Sequence, residues 1–385
     1  MNDYNPHTLQ SFITANFRHI KIEPLSNESK RELTRIYKQM SSIYRGLNHL
    51  KIREILSVPY DESNIPSAVK PRVKMCTSNS SYNFRIKHRD IYLYIHAPFV
   101  DKSFNRNCIK RIYMWLSLAS IYACEDCSKK MIIHLYLTDH IKMLPSDDNP
   151  IGRNNVNTAF TTACAETTTI CLFRREEWFK VFIHETFHNL GMDFSAMSYA
   201  SADKQITDIF KVKSDVRLFE TYCETWAEII HSQFITFFST RSHNNYGLML
   251  SKLDDILRAE TIFSLFQCAK VLRHNRMSYV DLYSTASTAK QQQYREESHV
   301  LSYYIIKSLL MFHKNAFIEW CSDNNTKFLD FEKTQKNIDR FCDLIRQMHR
   351  SPEYAKVIVQ ISDWFKYNNN NDSFETNTLR MTVFG

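Results

Sequence analysis

The segment 178–190 constrains the fold most, because apolar side chains recur there at three- and four-residue spacing. This pattern predicts a helix with a face buried in the core. The apolar residues are Trp178, Phe179, Phe182, Ile183, Phe187 and Leu190. Glu176 and Glu177 precede them, where the helix dipole favours negative charge, and Gly191 is suited to end the helix. The same stretch contains the polar run His184-Glu185-Thr186-Phe187-His188, so we expect titratable groups inside the core.

The run His184-Glu185-Thr186-Phe187-His188 reads H-E-x-x-H, a spacing with a mechanical meaning. Four residues are just over one helical turn, so both imidazoles leave one face and can bind a single Zn²⁺. Glu185 lies about a third of a turn away, where it can contact a metal-bound water without binding the metal. The motif is the signature of zinc metallohydrolases, most of which are peptidases.

A hydrolytic zinc site needs a third protein ligand. In one standard arrangement a His lies six residues after the second His, but Phe194 occupies that position, with Asp193 beside it as a variant ligand. The other arrangement uses a Glu on a later helix, and Glu220, Glu224 and Glu228 recur every four residues on one predicted face. The sequence from 218 to 240 contains no Lys or Arg to pair with them. Because like charges at this spacing repel, a bound cation would remove the penalty.

Glu224-Thr225-Trp226-Ala227-Glu228 resembles the ligand helix of the gluzincin metallopeptidases, E-x-x-[small]-[D/E]. This resemblance implies Glu224 as the third zinc ligand and Glu228 as the acid that orients a ligating His. Glu220-Thr221-Tyr222-Cys223-Glu224 fits the same pattern, so Glu220 is the alternative ligand and otherwise a supporting acid. The run 154–193 also resembles uncharacterised metallopeptidase-like proteins of large nucleocytoplasmic DNA viruses. The gluzincin resemblance covers 130–235 and is specific at the two ligand helices.

The resemblance implies a zinc metalloendopeptidase that acts on a protein or peptide substrate, with Zn²⁺ as cofactor and Glu185 as general base. It also implies an oxyanion-stabilising side chain from the C-terminal region. Tyr303 is our candidate, with His299 and Tyr304 as alternatives. The expected fold is α+β and zincin-like, with a small mixed sheet and an active-site helix followed by a mostly helical C-terminal subdomain.

Four regions are expected along the chain: an N-terminal helical extension (1–65), the zincin-like catalytic subdomain (66–240), a helical C-terminal subdomain (241–367) and a disordered tail (368–385). Alternating and β-branched runs predict strands at 91–95, 131–137 and 167–173, with a helix at 109–122. The resemblance implies that 167–173 is an edge strand that pairs with the substrate. Apolar periodicity predicts further helices at 246–273, 299–320, 331–349 and 353–367.

Composition and charge limit the fold classes and functions that are compatible with the chain. Five Gly and nine Pro argue against a turn-rich all-β fold. The net charge of +8 is spread along the chain, so nucleic-acid binding is not implied. No run of 18 apolar residues predicts a membrane span. Two alternatives stay open: an inactive zincin fold with a structural or virion-associated role, and a basic nucleic-acid-binding protein.

Ten cysteines in a chain without a recognisable secretory leader predict free thiols in a reducing compartment. We therefore expect an intracellular protein, in the host cytoplasm or a virion if the chain is viral. Cys124-Glu125-Asp126-Cys127 is a single C-x-x-C pair, and a structural zinc would need a second pair. The sequence does not determine the oligomeric state or the cleavage specificity.

Overall fold

A mixed sheet of six strands holds the site-bearing helices in place. The computed structural model describes residues 6–56, 65–146, 149–368 and 373–385. The strand order is β1-β2-β3-β4-β6-β5. The strands are β1 Arg53–Glu54, β2 Ser78–Ile86, β3 Arg89–Ala97, β4 Lys130–Tyr136, β5 Ala159–Thr161 and β6 Thr167–Leu172. The central pairs β3–β4 and β4–β6 are parallel, and the outer pairs β1–β2, β2–β3 and β5–β6 are antiparallel.

The predicted strands at 91–95, 131–137 and 167–173 are confirmed as β3, β4 and β6. The polar run of β2 was not predicted, because its Ser and Asn residues hide the alternation. The expectation that 167–173 forms the sheet edge is wrong. β6 lies between β4 and β5, so the short strand β5 occupies the edge.

The described part of the chain contains fifteen α-helices. Those up to the motif are α1 Pro6–Phe17, α2 Asn27–Gly46, α3 Lys70–Lys74, α4 Lys102–Ala119, α5 Arg153–Val156 and α6 Trp178–Asn189. The next are α7 Ala200–Ile209, α8 Leu218–Ser239, α9 Tyr246–His274, α10 Thr288–Gln293 and α11 Lys307–Phe312. The last are α12 Lys314–Asn324, α13 Gln335–Met348, α14 Pro352–Tyr367 and α15 Phe374–Asn377. A π-helix, Leu301–Ile306, leads directly into α11.

The predicted motif helix is α6, which packs between the sheet and α8. The indole Nε1 of Trp115 on α4 donates to Thr186 Oγ1 at 2.6 Å, inside the motif itself. Since both groups are buried, this hydrogen bond fixes the rotation of α6 about its axis. The observed class is thus α+β, with a mixed sheet, a central motif helix and a mostly helical C-terminal half.

One hydrophobic cluster extends from Leu9 to Val383. Helix α1 packs on α9, and α2 packs on α4 and α12, so the N-terminal helices share the core with the sheet. The subdomain boundaries at 65/66 and 240/241 stay predictions. Among the described residues, no helix combines the length and apolar character needed to cross a membrane.

The predicted disorder of 368–385 is wrong for residues 373–385, while 369–372 lie outside the described residues. The final segment is buried at Leu379 and Val383. The buried carboxylates of Glu177 and Glu260 accept hydrogen bonds from its backbone. Glu177 accepts from the N–H groups of Met381 and Thr382 at 2.6 and 2.7 Å. Composition predicts disorder here because it does not reveal acceptors contributed by distant helices.

The expectation that all ten cysteines are free thiols is wrong for two of them. Cys127 and Cys164 form a disulfide whose Cα atoms lie 4.9 Å apart. The other eight cysteines are not disulfide-bonded, and seven of these are buried. Cys127 therefore pairs with a residue of the β5–β6 connection and not with its sequence neighbour Cys124.

Glu260 on α9 offers a stability test of the C-terminal segment. Its carboxylate accepts from the N–H groups of Val383 and Phe384 at 2.8 and 3.2 Å and from the Thr382 hydroxyl at 2.6 Å. We expect Glu260→Ala to lower the free energy of unfolding by about 2–4 kcal/mol, because buried N–H groups lose their acceptors. Chemical denaturation measures this. The exposed Glu166→Ala is the control, and equal stability of the two variants would contradict the role of Glu260.

Candidate metal centre

Two imidazole nitrogens and one carboxylate oxygen lie close together where α6 faces α8. His184 Nε2 lies 3.0 Å from Glu220 Oε2, and His188 Nε2 lies 3.4 Å from the same oxygen. The two Nε2 atoms are 3.3 Å apart. All three residues are buried. The predicted pair of motif histidines therefore does share one face, and a single carboxylate completes a triangle of donors.

The dimensions of this triangle suit a tetrahedral zinc ion. Ligand bonds of about 2.0–2.1 Å at tetrahedral angles separate neighbouring ligand atoms by about 3.3 Å. The observed separations of 3.0, 3.3 and 3.4 Å are close to that value. Two His and one Glu are also a donor set of hydrolytic zinc sites, with the fourth position left for water. The residues present therefore fit the metal that the motif implies.

Glu224, the predicted third ligand, does not contribute an atom to the triangle. Its Oε1 forms an ion pair with the buried Lys180, and its Oε2 lies 3.0 Å from His184 Nδ1, the ring nitrogen away from the triangle. This last contact has the distance of an ion pair but lacks the alignment of a hydrogen bond. Glu224 thus lies behind His184, and Glu220 supplies the oxygen atom of the triangle.

Glu228 does not take the orienting role that the sequence predicts. Its Oε2 lies 2.8 Å from the Nζ of Lys307, and both side chains are buried. Two of the three acids on α8 are therefore balanced by lysines from other helices. The third acid, Glu220, differs: among the ion pairs of the described residues, its partners are histidines only.

Asp193 orients His188 and does not join the triangle. Its Oδ2 is hydrogen-bonded to His188 Nδ1, and its Oδ1 accepts from the N–H and hydroxyl of Ser195 at 3.1 and 2.8 Å. Cys223 Sγ lies 3.5 Å from Asp193 Oδ2, so a second donor set meets on this side of His188. Burial raises the pKa of the Cys223 thiol well above its usual range, which leaves that set without a thiolate.

Burial and neighbouring charges shift the pKa values of the three triangle residues in opposite directions. Burial lowers the pKa of His184 to about 4, which leaves its ring neutral and able to bind a metal. Burial also lowers the pKa of His188, but the carboxylates of Asp193 and Glu220 outweigh it and hold that pKa well above the usual value. Burial would raise the pKa of Glu220, but the two histidines hold it well below its usual range. Glu220 is therefore a carboxylate whose charge is neutralised within the site.

Glu185 and His184 border a cavity of about 50 Å³ that neither His188 nor Glu220 lines. A volume of this size holds an ordered water molecule. Burial raises the pKa of Glu185 to about 7. The walls are formed by α6, α8, the stretch before β5, the π-helix and the C-terminal segment, and the lining residues are Lys142, Val156, Asn157, Thr158, Ala159, Lys180, Val181, His184, Glu185, Glu224, Tyr303 and Met381.

Of the three candidate oxyanion donors, the fold brings Tyr303 to this cavity. Its ring centroid lies 6.1 Å from that of His184, in an edge-to-face arrangement. The π-helix that carries Tyr303 is a rare element often found at functional sites. The other two point elsewhere. The Tyr304 hydroxyl donates to Leu379 O at 2.6 Å, and His299 Nδ1 lies 2.9 Å from Asp215 O.

Sequence reasoning missed Lys180 and Met381 as neighbours of the site. Lys180 precedes His184 by four residues, so helical spacing alone places it on the face of the ligands. Its position within an apolar helix was a usable signal. No local pattern indicates Met381. Its Sδ lies 3.7 Å from Lys180 Nζ, although the two residues are 201 positions apart in the sequence.

Comparison of the chain with protein-family models, with curated proteins and with solved structures finds no match.

Replacing the acids of α8 one at a time distinguishes a ligand from an orienting group. We expect Glu224→Gln to weaken zinc binding roughly 10–100-fold, as for loss of a group that positions a ligating His. Glu220→Gln should weaken it by a larger factor, because a ligand atom is lost. Competition with a chelator of known affinity measures both. Glu228→Gln is the matched control on the same helix, and a larger loss in Glu224→Gln than in Glu220→Gln would reverse the assignment.

Proposed function

We propose that the protein is a zinc-dependent endopeptidase with a gluzincin-type site on a zincin-like fold. His184, His188 and Glu220 would hold the zinc, and Glu185 would act as general base. The observation that carries the proposal is the triangle of donor atoms at 3.0–3.4 Å beside a water-sized cavity bordered by Glu185. The order of elements supports the fold assignment, since the sheet is followed by the motif helix α6 and the acid-bearing helix α8.

Zinc bound at the triangle would supply Lewis-acid activation of a water and polarisation of the substrate carbonyl. Glu185 does the proton transfer. Its carboxylate accepts a proton as the water attacks the carbonyl carbon, and the resulting acid donates that proton to the leaving amine. Glu185 is buried, which limits exchange of this proton with bulk water between the two steps.

Tyr303 would stabilise the charge that develops on the carbonyl oxygen. Burial raises the pKa of its hydroxyl well above the usual value, and the carboxylates of Glu220 and Glu185 add to this rise. The hydroxyl therefore stays protonated and can donate a hydrogen bond. A donor held in place before the reaction costs no reorganisation at the transition state.

Strand β5 provides a backbone edge for an extended peptide. Thr158 O accepts from Phe173 N and Thr162 N donates to Thr169 O, so residues 158, 160 and 162 face β6. The backbone groups of Ala159 and Thr161 then point away from the sheet. They form no hydrogen bond with another described residue and are free to pair with a substrate strand.

A larger cavity of about 630 Å³ adjoins the small one along β5. Both are lined by Asn157 and Ala159, so they lie next to each other at the start of the edge strand. A volume of 300–1,000 Å³ is typical of ligand-binding clefts. The larger cavity would take substrate residues beyond the scissile bond, which favours cleavage within a chain.

The general base is tested by Glu185→Gln. We expect this variant to bind zinc as the wild type does, because Glu185 is not a ligand, and to lose about 10²–10⁴-fold in turnover. The measurements are zinc stoichiometry by mass spectrometry and cleavage of a diverse peptide library. Glu166→Gln, an exposed change, is the control. Full hydrolysis by Glu185→Gln, or no hydrolysis by the zinc-loaded wild type, would contradict the proposal.

The oxyanion donor is tested by Tyr303→Phe, which removes only the hydroxyl. We expect kcat to fall about 10²–10³-fold with little change in KM, because the hydrogen bond forms with the transition state. Tyr304→Phe is the matched control one residue away, since that hydroxyl bonds to Leu379 O. An unchanged kcat in Tyr303→Phe, measured on any peptide that the wild type cleaves, would remove Tyr303 from the mechanism.

A further inference from the structure

The turn before β4 carries two cysteines, Cys124 and Cys127, and a disulfide joins Cys127 to Cys164; the proposed chemistry uses none of the three. Cys127 is buried in its disulfide with Cys164, and Cys164 lies in the exposed β5–β6 connection. Cys124 lies three residues before Cys127 and is the one exposed residue among the eight free cysteines. An accessible thiol thus stands at C-x-x-C spacing from one sulfur of a disulfide, which is the spacing of dithiol redox motifs.

The turn that carries this pair is held by the buried Arg89. Its Nη2 donates to Cys124 O at 2.7 Å, its Nε to Cys127 O at 3.3 Å, and its Nη1 to Ser120 Oγ at 3.1 Å. Both cysteine carbonyls are therefore fixed by one guanidinium. The turn keeps Cys124 and Cys127 on a common scaffold whichever sulfur Cys127 is bonded to.

The disulfide also touches the end of the motif helix. Gly191 has φ +61°, and a Cβ there would lie 3.0 Å from Cys127 Sγ and 3.3 Å from Cys164 Cβ. Ser128 Oγ donates to Asn189 O at 2.8 Å, and Asn189 Nδ2 donates to Thr161 Oγ1 at 2.6 Å. The cysteine turn, the end of α6 just after His188 and the edge strand β5 are thus joined at one place.

We infer that Cys124, Cys127 and Cys164 form a thiol–disulfide exchange site. The thiolate of Cys124 attacks Cys127 Sγ, a Cys124–Cys127 bond forms, and the Cys127–Cys164 bond breaks. Cys164 leaves as a thiolate and takes up the proton that Cys124 lost. The step is an isomerisation without net oxidation or reduction, and it needs no co-reactant.

The exchange changes what restrains the β5–β6 connection. With the Cys127–Cys164 bond in place, residues 162–166 are tied to the turn beside Gly191. After exchange, Cys164 is a free and exposed thiol, and the connection is held by hydrogen bonds such as Asn189 Nδ2 to Thr161 Oγ1. The site is therefore a point at which small thiols and disulfides of the surroundings can act on the edge strand.

The decisive test uses the full chain in a glutathione redox buffer, quenched with acid and N-ethylmaleimide and digested without reduction. Mass spectrometry then identifies the linked peptides. We expect Cys164→Ser to carry a Cys124–Cys127 bond in at least about half of the molecules, because the attacked sulfur has no other partner. Cys124 and Cys127 recovered only as alkylated or glutathionylated thiols would overturn the inference.

A second measurement does not depend on the folding of that variant. Native wild-type protein treated with iodoacetamide should become labelled at Cys164, with an equal amount of Cys124–Cys127 bond. Cys124→Ser should remain unlabelled at Cys164, and Cys76→Ser, at a buried free cysteine, should behave as the wild type. Labelling at Cys164 in Cys124→Ser, or a Cys124–Cys164 link in the wild type, would contradict the assigned step. These readouts involve neither zinc nor hydrolysis, so their outcome is separate from that of the proposed function.

Discussion

The cost of burying charge governs the arrangement of this protein. Helix α8 carries acids at 220, 224 and 228 along one face, and all three are buried. A buried carboxylate without a partner is strongly destabilising, so each must be neutralised inside the core. Lys180 pairs with Glu224 and Lys307 pairs with Glu228. Glu220 is paired with the two motif histidines. The need to neutralise buried acids therefore accounts both for the packing of α6 against α8 and for the donor triangle between them.

The C-terminal segment extends this rule to backbone groups. It crosses the core after α15, where its N–H groups need acceptors. Glu177, just before α6, and Glu260, on α9, supply them, and Lys307 Nζ donates to Met381 O at 3.2 Å. The segment thereby connects the start of the motif helix with the helical C-terminal half, and it contributes one wall of the cavity beside Glu185.

The sequence predicts helices and strands where the apolar periodicity is strong. It does not predict features that depend on contacts between segments distant in the chain. The apolar spacing around His184 locates α6, and the β-branched runs locate β4 and β6. The sequence does not show that Glu224 is paired with a lysine, because that lysine lies 44 residues earlier in the chain. Spacing on α8 makes the two acids equivalent, and only tertiary packing separates them. The Cys127–Cys164 bond and the order of β5 and β6 likewise depend on which segments meet in space.

The small volume beside the donor triangle has a consequence for affinity. The space holds about one water molecule, whereas a scissile peptide with its flanking residues is many times larger. A peptide substrate of the proposed kind would have to separate the stretch 156–159 from Tyr303 and Met381 to reach Glu185. The free energy of that opening is subtracted from the binding energy, so measured affinity reports the population of open molecules as well as the contacts made. Ligands no larger than a water molecule or a simple anion avoid this penalty and would sense the donor triangle directly.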